Sequence, residues 1–231
     1  MATRIGLAFG GLVASVILIA GLVAGCDGGG GGGEATPVPP ELQDQLRRMV
    51  LQAEDVPSGF GVIDEEFSTN QDVVDASADP EAQLAKLLQW GRILGYDVTY
   101  EPGGPSGDGE AIIFSLNSTA SIYQAPEGAS AAFAEAASQT RTTDWTLFFG
   151  GAENIVVGEL PAPDVADEIL WLRVSGKAEA GEQTFAHDVV LLRTGAIRGS
   201  LQVGSFGTEE GRQFVEKMMR AQAEHMVTAV P

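Results

Sequence analysis

An uncharged run of twenty residues, Ile5 to Ala24, ends at the chain's only cysteine, Cys26, and six glycines follow at positions 28–33. With a single thiol no intramolecular disulfide can form, so whatever folds beyond that junction stands on its hydrophobic core alone. Roughly 200 residues follow Cys26, enough for one domain of two or three layers. A content of 44% hydrophobic residues excludes wholesale disorder, and only the first segment is apolar enough to enter a bilayer.

Arg4, the apolar run and a small-residue junction have the layout of a secretory signal. A retained transmembrane anchor is the alternative, because twenty residues at about 1.5 Å each span about 30 Å; cleavage with release is another. The position of the lone thiol favours a third outcome. Val23-Ala24-Gly25-Cys26 resembles the lipobox of bacterial lipoproteins, in which the cysteine is acylated and becomes the mature N-terminus. The resemblance implies a signal peptide over 1–25, a lipidated Cys26 with a Gly/Pro-rich tether over 26–40, and one extracytoplasmic domain over 41–231. It implies attachment by acyl chains, palmitate among them, to the outer face of the cytoplasmic membrane. By resemblance to the sorting rules of Gram-negative lipoproteins, Asp27 favours retention there.

Thirteen basic against 32 acidic residues give a formal net charge of −19. Nucleic acid and anionic headgroups are both repelled, so no nucleic-acid partner is expected and membrane attachment falls to the lipid. Solubility is the ordinary consequence of so much acid. The glycine run, stiffened further on by Pro37, Pro39 and Pro40, reads as a tether reaching on the order of 20 Å. No lysine or strand-to-helix context follows it, so it is not a phosphate loop.

Beyond the tether, Leu42, Leu46, Met49 and Val50 recur at helical spacing after Pro40. A turn at Asp55–Phe60 feeds a strand near Gly61–Phe67. Asp79-Pro80 opens a second helix expected to carry Leu84, Leu87, Leu88, Gly91 and Leu94 on one side, with Gly95 as its cap. Tyr96–Tyr100 is a short strand, residues 101–109 are a loop, and Ala111–Tyr123 alternates: Ile112, Phe114, Leu116, Ala120 and Ile122 on one face, Ser115, Asn117, Thr119 and Ser121 on a wet one. An alanine-rich helix over 129–139 presents Phe133. Four strands follow, at 155–157, 169–175, 185–193 and 197–206, joined closely enough to be antiparallel neighbours. A last helix from Thr208 turns Phe214, Val215, Met218, Met219 and Met226 inward.

That order gives an α+β fold, a mostly antiparallel sheet packed against helices. The Asp-x-Pro-x-Gly-Phe turn at 55–60, Gly128-Ala129-x-x-Ala132-Phe133 and Leu-Leu-Arg-x-Gly at 191–195 resemble actinobacterial-type cell-envelope lipoproteins. The resemblance implies a PsbP/Mog1-like α/β/α sandwich over about residues 41–228 and carries over no catalytic residue.

Chemistry is sparse. There is no Gly-x-Ser-x-Gly elbow and no Ser-x-x-Lys pair, so a hydrolase would need His187 with a distant serine and carboxylate. His187 shares strand parity with Phe185 and Val189, as expected of a core histidine held by a backbone group. His225 suits the C-terminal end of a helix dipole. Two distant histidines exclude an ordinary zinc site. The acidic residues between Asp64 and Glu81 lack EF-hand spacing and read as a solvated face, so no metal, no cofactor and no catalytic residue are expected. One apolar cluster stands out: Trp145, Leu147, Phe148 and Phe149, with Phe133, either anchor the core or rim an apolar pocket. The expected function is a non-enzymatic binding or accessory module of unassigned ligand, its partner an envelope protein or a hydrophobic ligand, with the close-packing alanines of the 129–139 helix favouring the protein. The alternatives are a carrier of lipid or a hydrophobic small molecule, and an envelope hydrolase.

Overall fold

A computed structural model describes residues 38–103, 112–177, 183–207 and 209–229. The expected signal peptide, Cys26, most of the tether and Thr208 lie outside the described residues. Among those described, no helix is long and apolar enough to cross a membrane.

The elements run α1 (Pro40–Arg47), β1 (Phe60–Ser68), α2 (Asn70–Asp75), α3 (Pro80–Trp90), β2 (Arg92–Pro102), β3 (Ile112–Tyr123), α4 (Pro126–Thr142), α5 (Trp145–Phe148), β4 (Glu153–Glu159), β5 (Glu168–Lys177), β6 (Thr184–Thr194), β7 (Ile197–Phe206) and α6 (Glu209–Thr228). The strands form one seven-stranded sheet, β1-β2-β3-β7-β6-β5-β4. Every neighbouring pair is antiparallel. The fold is α+β, as its sequence pattern requires.

Alternation along the central strands assigns the layers. Val190 and Leu192 of β6, Leu201 and Val203 of β7 and Leu116 of β3 pack with Val215, Met218, Met219 and Met226 of α6 and with Leu46 of α1. Their strand neighbours Val189 and Leu191, with Leu170, Leu172 and Val174 of β5, meet Phe133 and Ala137 of α4 on the other face. The larger core therefore lies under α1 and α6, and α4 covers only part of the opposite face.

Two sequence expectations are corrected. The second helix ends at Trp90, because Gly91 at φ 64° supplies the left-handed C-cap; Gly95 and Leu94 belong to β2. Leu87 alone of its leucines is buried, while Leu84 and Leu88 are exposed. In β3 a register shift between Ile113 and Ser115 turns Ile113 into the core and Phe114 out, against the Phe206 ring at 4.9 Å. Gly204 opposite leaves the space that this ring fills, since a Cβ there would lie 2.3 Å from Phe114 Cε2. The short helix α2 was not foreseen. It is held by a capping box in which the Thr69 hydroxyl accepts from the Asp72 amide and Asp72 accepts from Thr69.

Candidate functional site

The half of the sheet that α4 leaves uncovered carries a row of polar side chains, with Val189 and Leu191 of β6 beside them. Asp97 of β2, Asn117, Thr119 and Ser121 of β3, and Arg198, Ser200 and Gln202 of β7 all line a cleft of about 760 Å³. Its walls come from α2 and α3 on one side (Asp72, Lys86, Trp90) and from α4 on the other (Ala132, Glu135, Ala136). The cleft exists because α3 packs on α2 and α4 rather than on the strands. Gly128 in the first turn of α4 sits against the Trp90 carbonyl at the end of α3, and Lys86 Nζ donates to Glu135 Oε1 at 2.5 Å across the same junction. The alanines of α4 let it approach the sheet closely at one end without filling the trough at the other.

The floor is pre-ordered by hydrogen bonds between strands. The Asn117 amide donates to Asp97 Oδ1 at 2.8 Å and to Thr99 Oγ1 at 3.0 Å, and the Thr119 and Ser200 hydroxyls share a bond of 2.7 Å. Burial pushes the Asp97 carboxyl up to about 6, with Glu66 and Asp64 adding to the rise and the bonds from Asn117 and Thr99 opposing it. A folded-state value above the ordinary carboxylate range means that the fold binds this proton more tightly than the unfolded chain does. The associated stability is full below about pH 4 and is lost as pH rises through 6. Asp97→Asn, which keeps the acceptor for Asn117, should match the native chain at pH 4 and exceed it by about 2 kcal/mol at pH 8, about 4–8 °C in Tm. Thermal melts at the two pH values check this; a pH-independent difference would contradict it.

At the other end of the trough two arginines converge. The Arg92 guanidinium occupies the space over Gly95, where a Cβ would come within 2.3 Å of Nη2, 2.6 Å of Ser68 Oγ and 2.9 Å of Ser121 Oγ. Arg92 donates to the Ser68 carbonyl and to Asn70 Oδ1, both at 3.1 Å, and to Ser68 Oγ at 2.7 Å. Arg198 stands opposite Ser121 across the β3–β7 pair. Burial first, and then the charge of Arg198, push Arg92 down to about 10, partly offset by Tyr123 and Asp72, so it stays cationic at neutral pH.

The residues singled out in the sequence gather elsewhere. Phe133 and Trp145 are buried in the α4-side core, with Phe148 and Phe149 half-buried against them and Leu147 80% exposed. Trp145 packs edge-on to Phe148, and its indole N–H donates to the Thr140 carbonyl at 3.2 Å. None of the five lines either this cleft or the second, smaller cavity of about 320 Å³ near Met49 and Thr194. His187 joins that aromatic cluster, 5.5 Å from the Phe149 ring and 6.1 Å from Trp145. The backbone acceptor expected for it is missing among the described residues: its Nε2 is buried without a partner there, and burial pushes the ring down to about 4, so it is neutral. His225, by contrast, bonds Asp55 Oδ2 at 2.8 Å. Among the described residues no group of three or more His, Cys, Asp or Glu is placed to hold a metal ion. Asp72 and Asp79 of the acidic stretch are engaged as helix caps.

The sequence matches no known protein family and no curated protein. Among solved structures the chain is similar to the extracellular domain of PknH from Mycobacterium tuberculosis, with a TM-score of 0.48 and 10% identity over 82% of this chain and 98% of that one.

Proposed function

We propose that this chain is a lipid-anchored extracytoplasmic binding module, without catalytic chemistry of its own, whose ligand seats in the polar trough between the sheet and helices α2–α4. One observation carries the binding assignment. A sheet face that would ordinarily be covered by a helix or left flat to solvent is instead walled into a cleft of about 760 Å³ with an ordered polar floor. The position of the site favours a polar ligand over the hydrophobic one, because the aromatic residues of 145–149 pack on α4 and the strands rather than around this cleft. His187, enclosed by rings and bonded to no serine or carboxylate among the described residues, gives the hydrolase reading no support.

Anchoring rests on the lipobox resemblance at 23–26 and on the tether that would hold the domain off the bilayer. Cys26→Ser should abolish the acylated mature form and leave an unprocessed, unacylated chain in fractionated cells, read by mass spectrometry. A protein still membrane-bound at its mature size would contradict the anchor.

A further inference from the structure

We infer that the ligand of the trough is a hydroxyl-rich small molecule bearing an anionic group, a carboxylate or a phosphate, and that this group docks on Arg92 and Arg198. The inference rests on the trough being the binding site and adds the chemistry of what it binds.

The first ground is the treatment of cations elsewhere in the molecule. Six basic side chains pair with carboxylates: Arg47 with Asp44, Lys86 with Glu135, Arg141 with Glu159, Arg173 with Asp188, Arg193 with Asp167 and Glu168, and Arg220 with Glu216. Arg92 and Arg198 have no such partner among the described residues; the same holds for Arg48, Lys177, Arg212 and Lys217, but Arg48, Lys177 and Lys217 are exposed to solvent, whereas Arg92 and Arg198 face one cavity and Arg92 is buried. Arg92 is only 8% exposed and is held entirely by neutral acceptors, the Ser68 carbonyl and hydroxyl and the Asn70 side chain. Burying a guanidinium without a counter-charge is costly, and setting a second one beside it adds repulsion. An anion bound between the two removes both costs and gains charge-assisted, fork-shaped hydrogen bonds.

The second ground is pre-organisation. Gly95 leaves the space that the Arg92 guanidinium occupies, and the Ser68 and Ser121 hydroxyls stand beside it. The seat is fixed before any ligand arrives, which lowers the ordering cost of binding.

The third ground is separation of charge. The other charged side chains on the cavity wall are Glu66, Asp72, Asp79, Lys86, Asp97 and Glu135. Glu135 is taken by Lys86, and Asp72 and Asp79 cap α2 and α3; the Asp72 charge also acts on Arg92 but forms no ion pair with it. Asp97 lies beside Asn117, four residues along β3 from Ser121, or about 13 Å from the arginine end. Between the two ends the floor offers Asn117, Thr119, Ser200 and Gln202, a row of amides and hydroxyls suited to a polyol rather than to an acyl chain.

Calorimetric titration of the full-length chain in detergent micelles at low salt tests this with three probes: glucuronate, glucose 6-phosphate and glucose. The expected result is that one or both anionic sugars bind at least tenfold more tightly than glucose, the two arms separating carboxylate from phosphate. That preference should collapse in Arg198→Gln and return in part in Arg198→Lys, which keeps the charge but loses the fork. Arg198 is the residue to change because it lacks the buried hydrogen bonds of Arg92, and an unchanged melting temperature confirms that the variant is folded. Equal affinity for glucose and its anionic relatives, or a preference untouched by Arg198→Gln, overturns the anionic docking and leaves the trough as a polyol site. No binding of any of the three overturns the inference and the trough assignment together.

Discussion

Arg173→Met should destabilise the fold by about 3–5 kcal/mol, the largest loss expected of a single side chain here. Asp188 is completely buried, and its carboxylate accepts from Arg173 Nε and Nη2, both at 2.8 Å, and from the Trp171 indole at 2.7 Å. Arg173 and Asp188 are directly opposed in the β5–β6 pair, so the bidentate bond is built into the register. Methionine fills similar space but leaves a buried carboxylate with only one indole donor. The cost is that of the orphaned charge, not the net worth of the pair. Arg173→Met combined with Asp188→Asn removes the charge and keeps an acceptor for Trp171, so it should recover half or more of the loss. Denaturant unfolding of the three variants measures this; a double variant no more stable than Arg173→Met would show that the ion pair itself, and not the stranded charge, carries the stability. The cluster lies on the α6 face, where Arg212 reaches over the Trp171 ring at 5.9 Å, and so stands apart from the trough.

Gly128→Ala should cost about 3 kcal/mol and also weaken ligand binding. A Cβ at this position would lie 1.8 Å from the Trp90 carbonyl oxygen and 2.8 Å from its carbon. Both are backbone atoms, so no side-chain rotation relieves the clash, and α4 must move off the end of α3. Those helices are two walls of the cleft, which is why the change should reach the ligand whereas Arg173→Met should not. Melting temperature and sugar affinity measured on the same sample separate the two effects; an alanine variant with native stability would mean that the helix junction is looser than the close approach implies.

The order of strands and helices was legible because turn residues separate short apolar runs closely enough to demand antiparallel neighbours; that Val190 and Leu192 face α6 while Val189 and Leu191 face α4 appears only in the fold, since a short apolar run looks the same whichever elements cover it. Leu84, Leu88 and Leu94 misled for a physical reason. Helical spacing of leucines implies a buried stripe only where a helix packs on the core, and α3 instead bridges α2 and α4, with Gly91 ending it one turn early. The bulge at Phe114 depends on Gly204 of a strand some ninety residues away, which no local pattern contains.

The site itself was half visible. The polar parity of Ser115, Asn117, Thr119 and Ser121 marked one face of β3 as wet, but water and ligand leave the same alternation in a sequence. Arg92 and Arg198 at one end and Asp97 at the other are brought to one trough by the pairing of β2, β3 and β7, and their spacing along the chain gives no hint of it. The segment 145–149 drew attention because it is rich in rings, yet ring content reports anchoring as readily as binding. Phe148, Phe149 and His187 close over the end of α4 and the strands beneath it.

The chain's three tryptophans stand in three different places: Trp90 on the wall of the trough, Trp145 in the aromatic cluster and Trp171 on the opposite face of the sheet. Their indole N–H signals in a two-dimensional nitrogen–proton spectrum, followed while glucuronate or glucose 6-phosphate is titrated in, give the most direct test of where the ligand binds. Trp90 and the side-chain amides of Asn117 and Gln202 should shift along one saturable curve while Trp145 and Trp171 stay still. Movement of Trp145 with Trp90 unmoved, or no movement of any of the three, would contradict the trough assignment.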